Sequence, residues 1–228
     1  MGNRQQQLSF MPRKRAKGGG RKPKSARAGV AHDKRPDLSS RHPVHVTLTT
    51  VPEVGSLRTK AAYAAVRRAL QCSMGWSRTR GQFRVCHMSI QGNHIHMLVE
   101  ASDQGALSRG MQGFSISCAK QINAALGRRG KVFADRFHER ILRTPREVRT
   151  CLNYCMNNWR HHGFSKAFPR LRVDPYSTGP LLDGWRDHRG LVFIPLDRPY
   201  LPVWFPKTWL LDRGWRMHGL LNPWAVPG

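Results

Sequence analysis

The chain has 228 residues, and 39 Lys and Arg against 13 Asp and Glu give it a formal net charge of +26. Its 39% hydrophobic content is enough for a folded core, while its apolar runs fall far short of the roughly 20 residues of a membrane span. So large a positive surplus indicates a polyanionic partner, and nucleic acid is favoured over a membrane. The few acids disfavour a multi-carboxylate metal enzyme. With no apolar leader in the sequence, we expect a cytoplasmic, nucleoid-associated protein.

The charge is unevenly distributed along the chain. Residues 1–42 carry 12 basic and 2 acidic side chains around the run PRKRAKGGGRKPKSARAG, which predicts a disordered basic arm that binds phosphates. A merely solubilising tail is the alternative. Residues 43–166 carry 19 basic and 6 acidic side chains and show clear periodicity, which predicts the folded domain. Residues 167–228 are rich in Pro and Trp and form a C-terminal extension to which the sequence assigns no role.

The folded domain begins with a strand, a helix and a hairpin. Residues 45–49 alternate with period two and predict the first strand. From Thr59 the apolar residues follow helical spacing. Residues 83–90 and 93–100 predict two strands joined at Gln91-Gly92, a typical hairpin turn.

A second helix, a fourth strand and a third helix follow. The second helix carries an apolar series that ends near Gly127: Leu107, Met111, Phe114, Cys118, Ile122 and Leu126. Residues 131–142 predict the fourth strand. Thr144-Pro145-Arg146-Glu147 is a capping box with proline in the first turn, and Gly163 ends the helix. This order of elements predicts an α+β fold, a ferredoxin-like sandwich with an antiparallel sheet.

Five cysteines occur, at positions 72, 86, 118, 151 and 155, with no C-x-x-C spacing. Their odd number and apolar positions favour buried free thiols in a reducing compartment. Cys151 and Cys155 are one helical turn apart, which leaves a metal-binding pair as the less favoured alternative.

His94 and His96 flank Ile95 in the predicted strand segment GNHIHMLVE. Period two puts both imidazoles on one face of the strand. Two adjacent imidazoles can chelate one divalent ion, and such an ion can polarise a phosphoryl oxygen. The same spacing also fits a pair of partly exposed histidines without any site.

The third helix has two distinct faces. At about 100° per residue, one stripe predicts the core face: Val148, Leu152, Cys155 and Trp159. A separate side face carries Glu147, Cys151, Tyr154, Asn158 and His161. A phenol can attack phosphorus when it is held in line and its developing charge is stabilised. Asn158 can complete a His/His/amide site suited to Mg or Mn. A half-buried structural tyrosine is the alternative for Tyr154.

The ordered combination of these segments resembles the HUH single-tyrosine transposases, specifically the REP-associated tyrosine transposases of bacteria. The resemblance spans about residues 42–163 and rests on HVTLTT, QGNHIHMLVE, GKVFADRFHERIL and TPREVRTCLNYCMNNWRHHG. It implies a ferredoxin-like fold and action on single-stranded DNA, often at hairpins. It also implies that His94, His96 and Asn158 bind the metal. Tyr154 would attack the scissile phosphate, forming a 5′-phosphotyrosine and freeing a 3′-hydroxyl.

The chain departs from the family's pattern in one visible way. Many members place an Asn-Pro pair after the tyrosine, whereas this chain has Asn158-Trp159. The arm and the extension lie outside the matched region. These differences affect the prediction of which DNA sequence is recognised, and that sequence stays undetermined. The choice between monomer and homodimer also stays open.

Basic side chains are dense around the proposed site. We expect DNA-phosphate contacts from Arg128, Arg129, Lys131, Arg136, Arg140 and Arg143, with a solvated surface as the alternative for each. In the extension, Trp209, Leu210 and Trp215 predict a short helix that docks on the main domain, and base stacking is the alternative.

We therefore predict a metal-dependent tyrosine transposase, a single-stranded DNA endonuclease and strand transferase that uses Mg or Mn. A non-catalytic binder of structured DNA or RNA on the same fold is the rival hypothesis. A ribosomal-type RNA-binding protein fits the composition but not the His/Tyr/Asn set. Close approach of Tyr154 to His94 and His96 would favour the enzyme.

Overall fold

The computed structural model describes residues 35–74, 81–168, 171–186 and 199–227. Its centre is a four-stranded sheet in the order β2-β3-β1-β4, and every neighbouring pair of strands is antiparallel. The strands are β1 Val44–Thr49, β2 Phe83–Ile90, β3 His94–Ala101 and β4 His138–Ile141. This order confirms the predicted ferredoxin-like α+β fold.

Helices α1 (Lys60–Met74) and α2 (Gln104–Ala125) cover one face of the sheet. The apolar positions of β1 and β3 face them, because alternate side chains of a strand point to the same side. The apolar side chains that follow helical spacing in the sequence are fully or almost fully buried in these two helices: Ala62, Val66, Leu70, Leu107, Met111, Phe114, Cys118 and Ile122.

The predicted fourth strand is too long. Of residues 131–142, only His138–Ile141 pair with β1 as a ladder, and Phe133 forms one isolated bridge with Thr50. Between these two pairings the chain bends, and the carboxylate of Asp135 accepts a hydrogen bond from the backbone N–H of Arg136. A local side-chain acceptor here competes with the strand ladder for that donor.

Helix α3 (Pro145–His161) lies on the opposite face of the sheet. Its capping box is present as predicted: the Thr144 hydroxyl accepts from the Glu147 backbone, and the Glu147 carboxylate accepts from the Thr144 backbone. The helix is followed by Gly163 in the left-handed region at φ 73°, a conformation that favours glycine. Local signals thus set both ends of the helix that carries Tyr154.

The C-terminal extension packs on α3 and on the same face of the sheet. Its apolar side chains share one cluster with Leu98, Val148, Leu152 and Met156: Val173, Leu182, Trp185, Leu210, Leu211, Trp215 and Leu221. The predicted docking of Leu210 and Trp215 matches this packing. Trp209 differs, since it is 57% exposed, with its ring over Gly214.

Two buried carboxylates fasten the extension to the domain. Glu100, on β3, accepts hydrogen bonds from Arg84 and from the backbone N–H groups of Lys207 and Thr208. Asp174 accepts two bonds from the guanidinium of Arg58, at 2.9 and 2.7 Å. A buried charge is tolerated when it is paired and hydrogen-bonded in this way.

Of the predicted arm, 1–42, residues 1–34 lie outside the described residues. From Arg35 the chain contacts the domain, because Arg35 donates to the Phe137 carbonyl and pairs with Glu139, and Leu38 is buried in the core. Among the described helices, none combines the length and apolar character needed to cross a bilayer.

Candidate active site

Strands β1 and β3 present a polar row to α3. In their antiparallel register Thr47 lies opposite His96, and Thr49 lies opposite His94. Both histidines point to the α3 face, as period two predicts, and their ring centroids are 4.6 Å apart. They are 6% and 4% exposed, so the pair is buried rather than displayed on the surface.

Helix α3 brings Tyr154 and Asn158 onto this pair within a single chain. The side-chain nitrogen of Asn158 lies 3.2 Å from Nε2 of His96, and the ring of Tyr154 lies 5.2 Å from the ring of His96. Asn158 is fully buried and Tyr154 is half-buried. The four residues singled out in the sequence therefore form one cluster.

His45 and Thr47 contact the other nitrogen of His96. Nε2 of His45 lies 3.1 Å from Nδ1 of His96, and the Thr47 hydroxyl lies 3.2 Å from it. His45 also stacks on the His96 ring, at 5.2 Å between centroids. The sequence identified His45 only as a residue of the first strand, because its approach to His96 depends on the register between β1 and β3.

At the C-terminal end of α3, the histidine that lies beside the site is His162 rather than His161. The His162 ring lies 5.6 Å from that of His94, whereas His161 is exposed. Tyr154, Asn158 and His162 are each one turn apart, so they line one side of α3 and its C-terminal cap. The sequence placed His161 on that side because it continued ideal helical spacing past Asn158.

Burial keeps both strand histidines uncharged near neutral pH. Burial is the main cause that lowers the pKa of His94 to about 4, and the nearby His162 and His45 contribute to the same shift. Burial also lowers the pKa of His96 well below its usual value. A neutral imidazole has one nitrogen free to bind a cation.

Hydrogen bonds indicate which nitrogens are free. Nδ1 of His94 lies 2.9 Å from the Asn93 side-chain oxygen, and a proton there leaves Nε2 of His94 as an acceptor. In the same way, a proton on Nδ1 of His96, donated to Thr47 or His45, leaves Nε2 free on the Asn158 side. Metal-binding histidines are usually held by such a bond from the second nitrogen.

These residues fit a divalent cation. The Asn158 side-chain oxygen is buried and has no hydrogen-bond partner among the described residues, so this amide has an unused oxygen donor beside His96. Two ligands about 2.1 Å from one ion and at right angles to each other are about 3 Å apart. The atom 3.2 Å from Nε2 of His96 is the Asn158 nitrogen. Turning the amide over brings its oxygen to that position, where the separation from Nε2 is close to this value.

The Tyr154 phenol is protonated at neutral pH. Burial raises its pKa, and so do the neighbouring Cys155 and Cys151, while a hydrogen bond with Asn158 opposes the shift. The phenolate is therefore disfavoured in the resting site, and a nucleophilic role requires nearby positive charge to stabilise the developing anion.

An open cleft of about 350 Å³ leads to His94. Its walls come from the loop after β1, the β2–β3 turn and the end of α3, and its lining includes Gly55, Asn93, His162 and Phe164. The cleft therefore reaches the His94 side of the histidine pair.

The predicted basic residues differ in their surroundings. Arg128 is tied to its own loop, where it donates to Asn123 and to the Lys131 carbonyl. Arg136 is partly buried, and Arg140 lies across from His45 on β4 and near Glu147. Arg129, Lys131 and Arg143 are exposed. Their contact with DNA stays a prediction.

Comparison with known proteins finds similarity to this chain in structure but not in sequence. No protein-family profile and no curated protein matches the sequence. A solved structure described as a REP-associated tyrosine transposase bound to a REP hairpin matches with a TM-score of 0.53 and 19% identity. The match covers 78% of this chain and 93% of that one. At this identity, the likeness shows that the two chains share a fold.

Proposed function

We propose that this protein is a divalent-metal-dependent tyrosine transposase that cleaves and rejoins single-stranded DNA, with a DNA hairpin as its preferred substrate. The observation that carries the proposal is the meeting of Tyr154, Asn158, His94 and His96 in one chain, with the Tyr154 ring 5.2 Å from that of His96. A nucleic-acid-binding protein without catalysis has no need for a phenol beside a neutral, buried imidazole pair.

Each residue has a distinct role in the proposed reaction. His94, His96 and the Asn158 oxygen would hold Mg or Mn, which supplies Lewis-acid polarisation of the scissile phosphate. Tyr154 Oη attacks phosphorus, and the bond from phosphorus to the 3′ oxygen breaks. The products are a 5′-phosphotyrosine and a 3′-hydroxyl, so the proton lost by the phenol balances the one gained by the 3′ oxygen. Reversal with a second 3′-hydroxyl rejoins the DNA.

The partner is inferred from charge and from the shared fold. The structural relative was solved with a hairpin bound, and this chain has a net charge of +26. Arg129, Lys131 and Arg143 are exposed and suited to hold phosphates without reading sequence. A protein that works on genomic DNA in this way would act at the nucleoid in the cytoplasm.

The test is formation of a covalent adduct. The full chain is incubated with a labelled single-stranded hairpin and Mn²⁺ or Mg²⁺, then denatured and examined on a gel. We expect a protein–DNA adduct that disappears with chelator and in Tyr154→Phe. The matched control is Tyr176→Phe, which alters a buried tyrosine that packs against Arg58 and belongs to the other apolar cluster.

Two outcomes would contradict the proposal. Cleavage that persists in Tyr154→Phe would exclude this nucleophile. Tight hairpin binding without any adduct, under all metal conditions, would favour the non-catalytic binder.

A further inference from the structure

A second group of potential metal ligands adjoins the proposed catalytic site and shares His96 with it. One nitrogen each of His45 and His96 and the sulfur of Cys155 all lie within 4.8 Å of one another. Cys151 lies beside Cys155, with 3.9 Å between the two sulfurs, although its own sulfur is outside the group of atoms that lie within 4.8 Å of one another. We call these four residues the thiol cluster.

The spacing within the thiol cluster suits a tetrahedral ion. Zinc binds nitrogen at about 2.0–2.1 Å and sulfur at about 2.3 Å, so tetrahedral ligands stand about 3.3 Å apart for two nitrogens and about 3.8 Å for two sulfurs. The observed separations are 3.1 Å between His45 and His96 and 3.9 Å between the two sulfurs. To close a tetrahedral shell, Cys155 would need to lie closer to the two imidazoles than the 4.8 Å limit within which they are grouped, and Cys151 would need to turn toward them.

The donor types distinguish this cluster from the His/His/amide site. Thiolate sulfur favours zinc-like ions over Mg²⁺ or Mn²⁺, which prefer oxygen. Cys151 and Cys155 are one turn apart on α3, so the helix presents both sulfurs to the same side. His96 and the cysteines are buried, whereas His45 is partly exposed and provides a path for an ion to enter.

We propose that the thiol cluster binds a thiophilic divalent cation of the zinc class, through His45, His96 and Cys155, with Cys151 as the fourth ligand. Binding releases the thiol protons to solvent. The free protein, without DNA or another metal, is expected to form this complex.

Occupation of the thiol cluster would exclude a metal from the catalytic position. A neutral imidazole has one nitrogen with a free lone pair, and His96 offers Nδ1 to the thiol cluster but Nε2 to Asn158. His96 therefore serves one ion at a time. This consequence, zinc inhibition of DNA cleavage, rests on the proposed function, whereas metal binding itself does not.

The test uses Co²⁺ as a spectroscopic substitute for zinc. Cobalt is titrated into the reduced full-length protein without DNA, with a phosphine reductant that does not compete for metal. We expect a near-ultraviolet thiolate-to-cobalt charge-transfer band together with visible bands of a tetrahedral ion, and both should vanish when Zn²⁺ is added. A site of two imidazoles and an amide gives no sulfur band.

Variants assign the band to the thiol cluster. Cys155→Ser and, separately, His45→Gln should abolish the sulfur band, with folding checked by circular dichroism. Cys118→Ser is the matched control because it removes a buried thiol of α2 on the opposite side of the sheet, and the band should remain. His94→Ala should also keep the band, since His94 belongs only to the His/His/amide site.

The outcomes separate this inference from the proposed function. Absence of the sulfur band, or a band unchanged in folded Cys155→Ser and His45→Gln, overturns the inference. A band that behaves as expected in a protein that never forms a DNA adduct supports the inference and removes the transposase function. If adducts form, Zn²⁺ should suppress them, and Cys155→Ser should weaken that suppression relative to its own zinc-free activity.

Discussion

The side-chain nitrogen of Asn158 lies 3.2 Å from Nε2 of His96 and joins helix α3 to strand β3 across the candidate site. Neither residue is accessible from the surface, since Asn158 is fully buried and His96 nearly so. The contact places an amide next to the nitrogen of His96 that would bind a metal.

Asn158→Ala should raise the Mn²⁺ concentration needed for half-maximal adduct formation by about tenfold or more, because it removes the proposed oxygen ligand. Asn157→Ala is the control, since Asn157 is the adjacent buried amide and donates instead to Asn153 and to the Asn222 carbonyl. It should lower stability without changing the metal requirement. Equal shifts in the two variants would show that the effect is one of packing.

Thr47→Val should also weaken metal binding. The Thr47 hydroxyl lies 3.2 Å from Nδ1 of His96 and helps to fix the orientation of the ring. Loss of such a partner typically costs about 10–100-fold in metal affinity. The measurement is the Mn²⁺ dependence of adduct formation, and Thr49→Val is the control because Thr49 is exposed on the same face of β1. An unchanged Mn²⁺ dependence in Thr47→Val would assign the orienting role to His45 alone.

Stability should fall as the pH drops below about 6.5 because of His87. Burial lowers the pKa of His87 to about 4, against the opposing influence of Glu100 and Asp183. The folded state therefore keeps this ring neutral while the unfolded chain takes up a proton, so stability is lost as pH falls from about 6.5 towards 4. Between pH 7 and pH 5 the loss from this residue is about 2 kcal/mol.

Denaturant unfolding of the wild type and of His87→Leu at both pH values checks this expectation. The wild type should lose about 2 kcal/mol more than the variant over this interval. Equal losses in both proteins would show that His87 is not the group responsible.

Deletion of residues 1–34 should weaken DNA binding and reduce its salt dependence without abolishing cleavage. This segment carries 10 basic and 1 acidic side chains, and each phosphate contact contributes about 0.7 to the salt slope on a single strand. The deletion stops before Arg35 and Leu38, which pack on the domain. A full-length control with the Lys and Arg of residues 1–34 changed to Ser separates charge from length, and an unchanged slope in both would contradict the prediction.

The order of helices and strands was predictable because it depends on local periodicity and capping. The apolar spacing of α1 and α2, the hairpin at Gln91-Gly92 and the capping box of Thr144 and Glu147 all appear in the structure. The length of β4 was not predictable, because the bend near Asp135 depends on a side-chain hydrogen bond that competes with the sheet.

By itself, the sequence determined which side chains share a face: His94 with His96 on a strand, and Tyr154 with Asn158 on a helix. Those relations follow from the fixed periods of two and 3.6 residues. Only the tertiary structure decided that the two faces meet, that His45 and Thr47 contact the second nitrogen of His96, and that His162 rather than His161 lies beside His94. Strand register and the position of α3 on the sheet set those contacts, and both depend on packing between residues far apart in the chain.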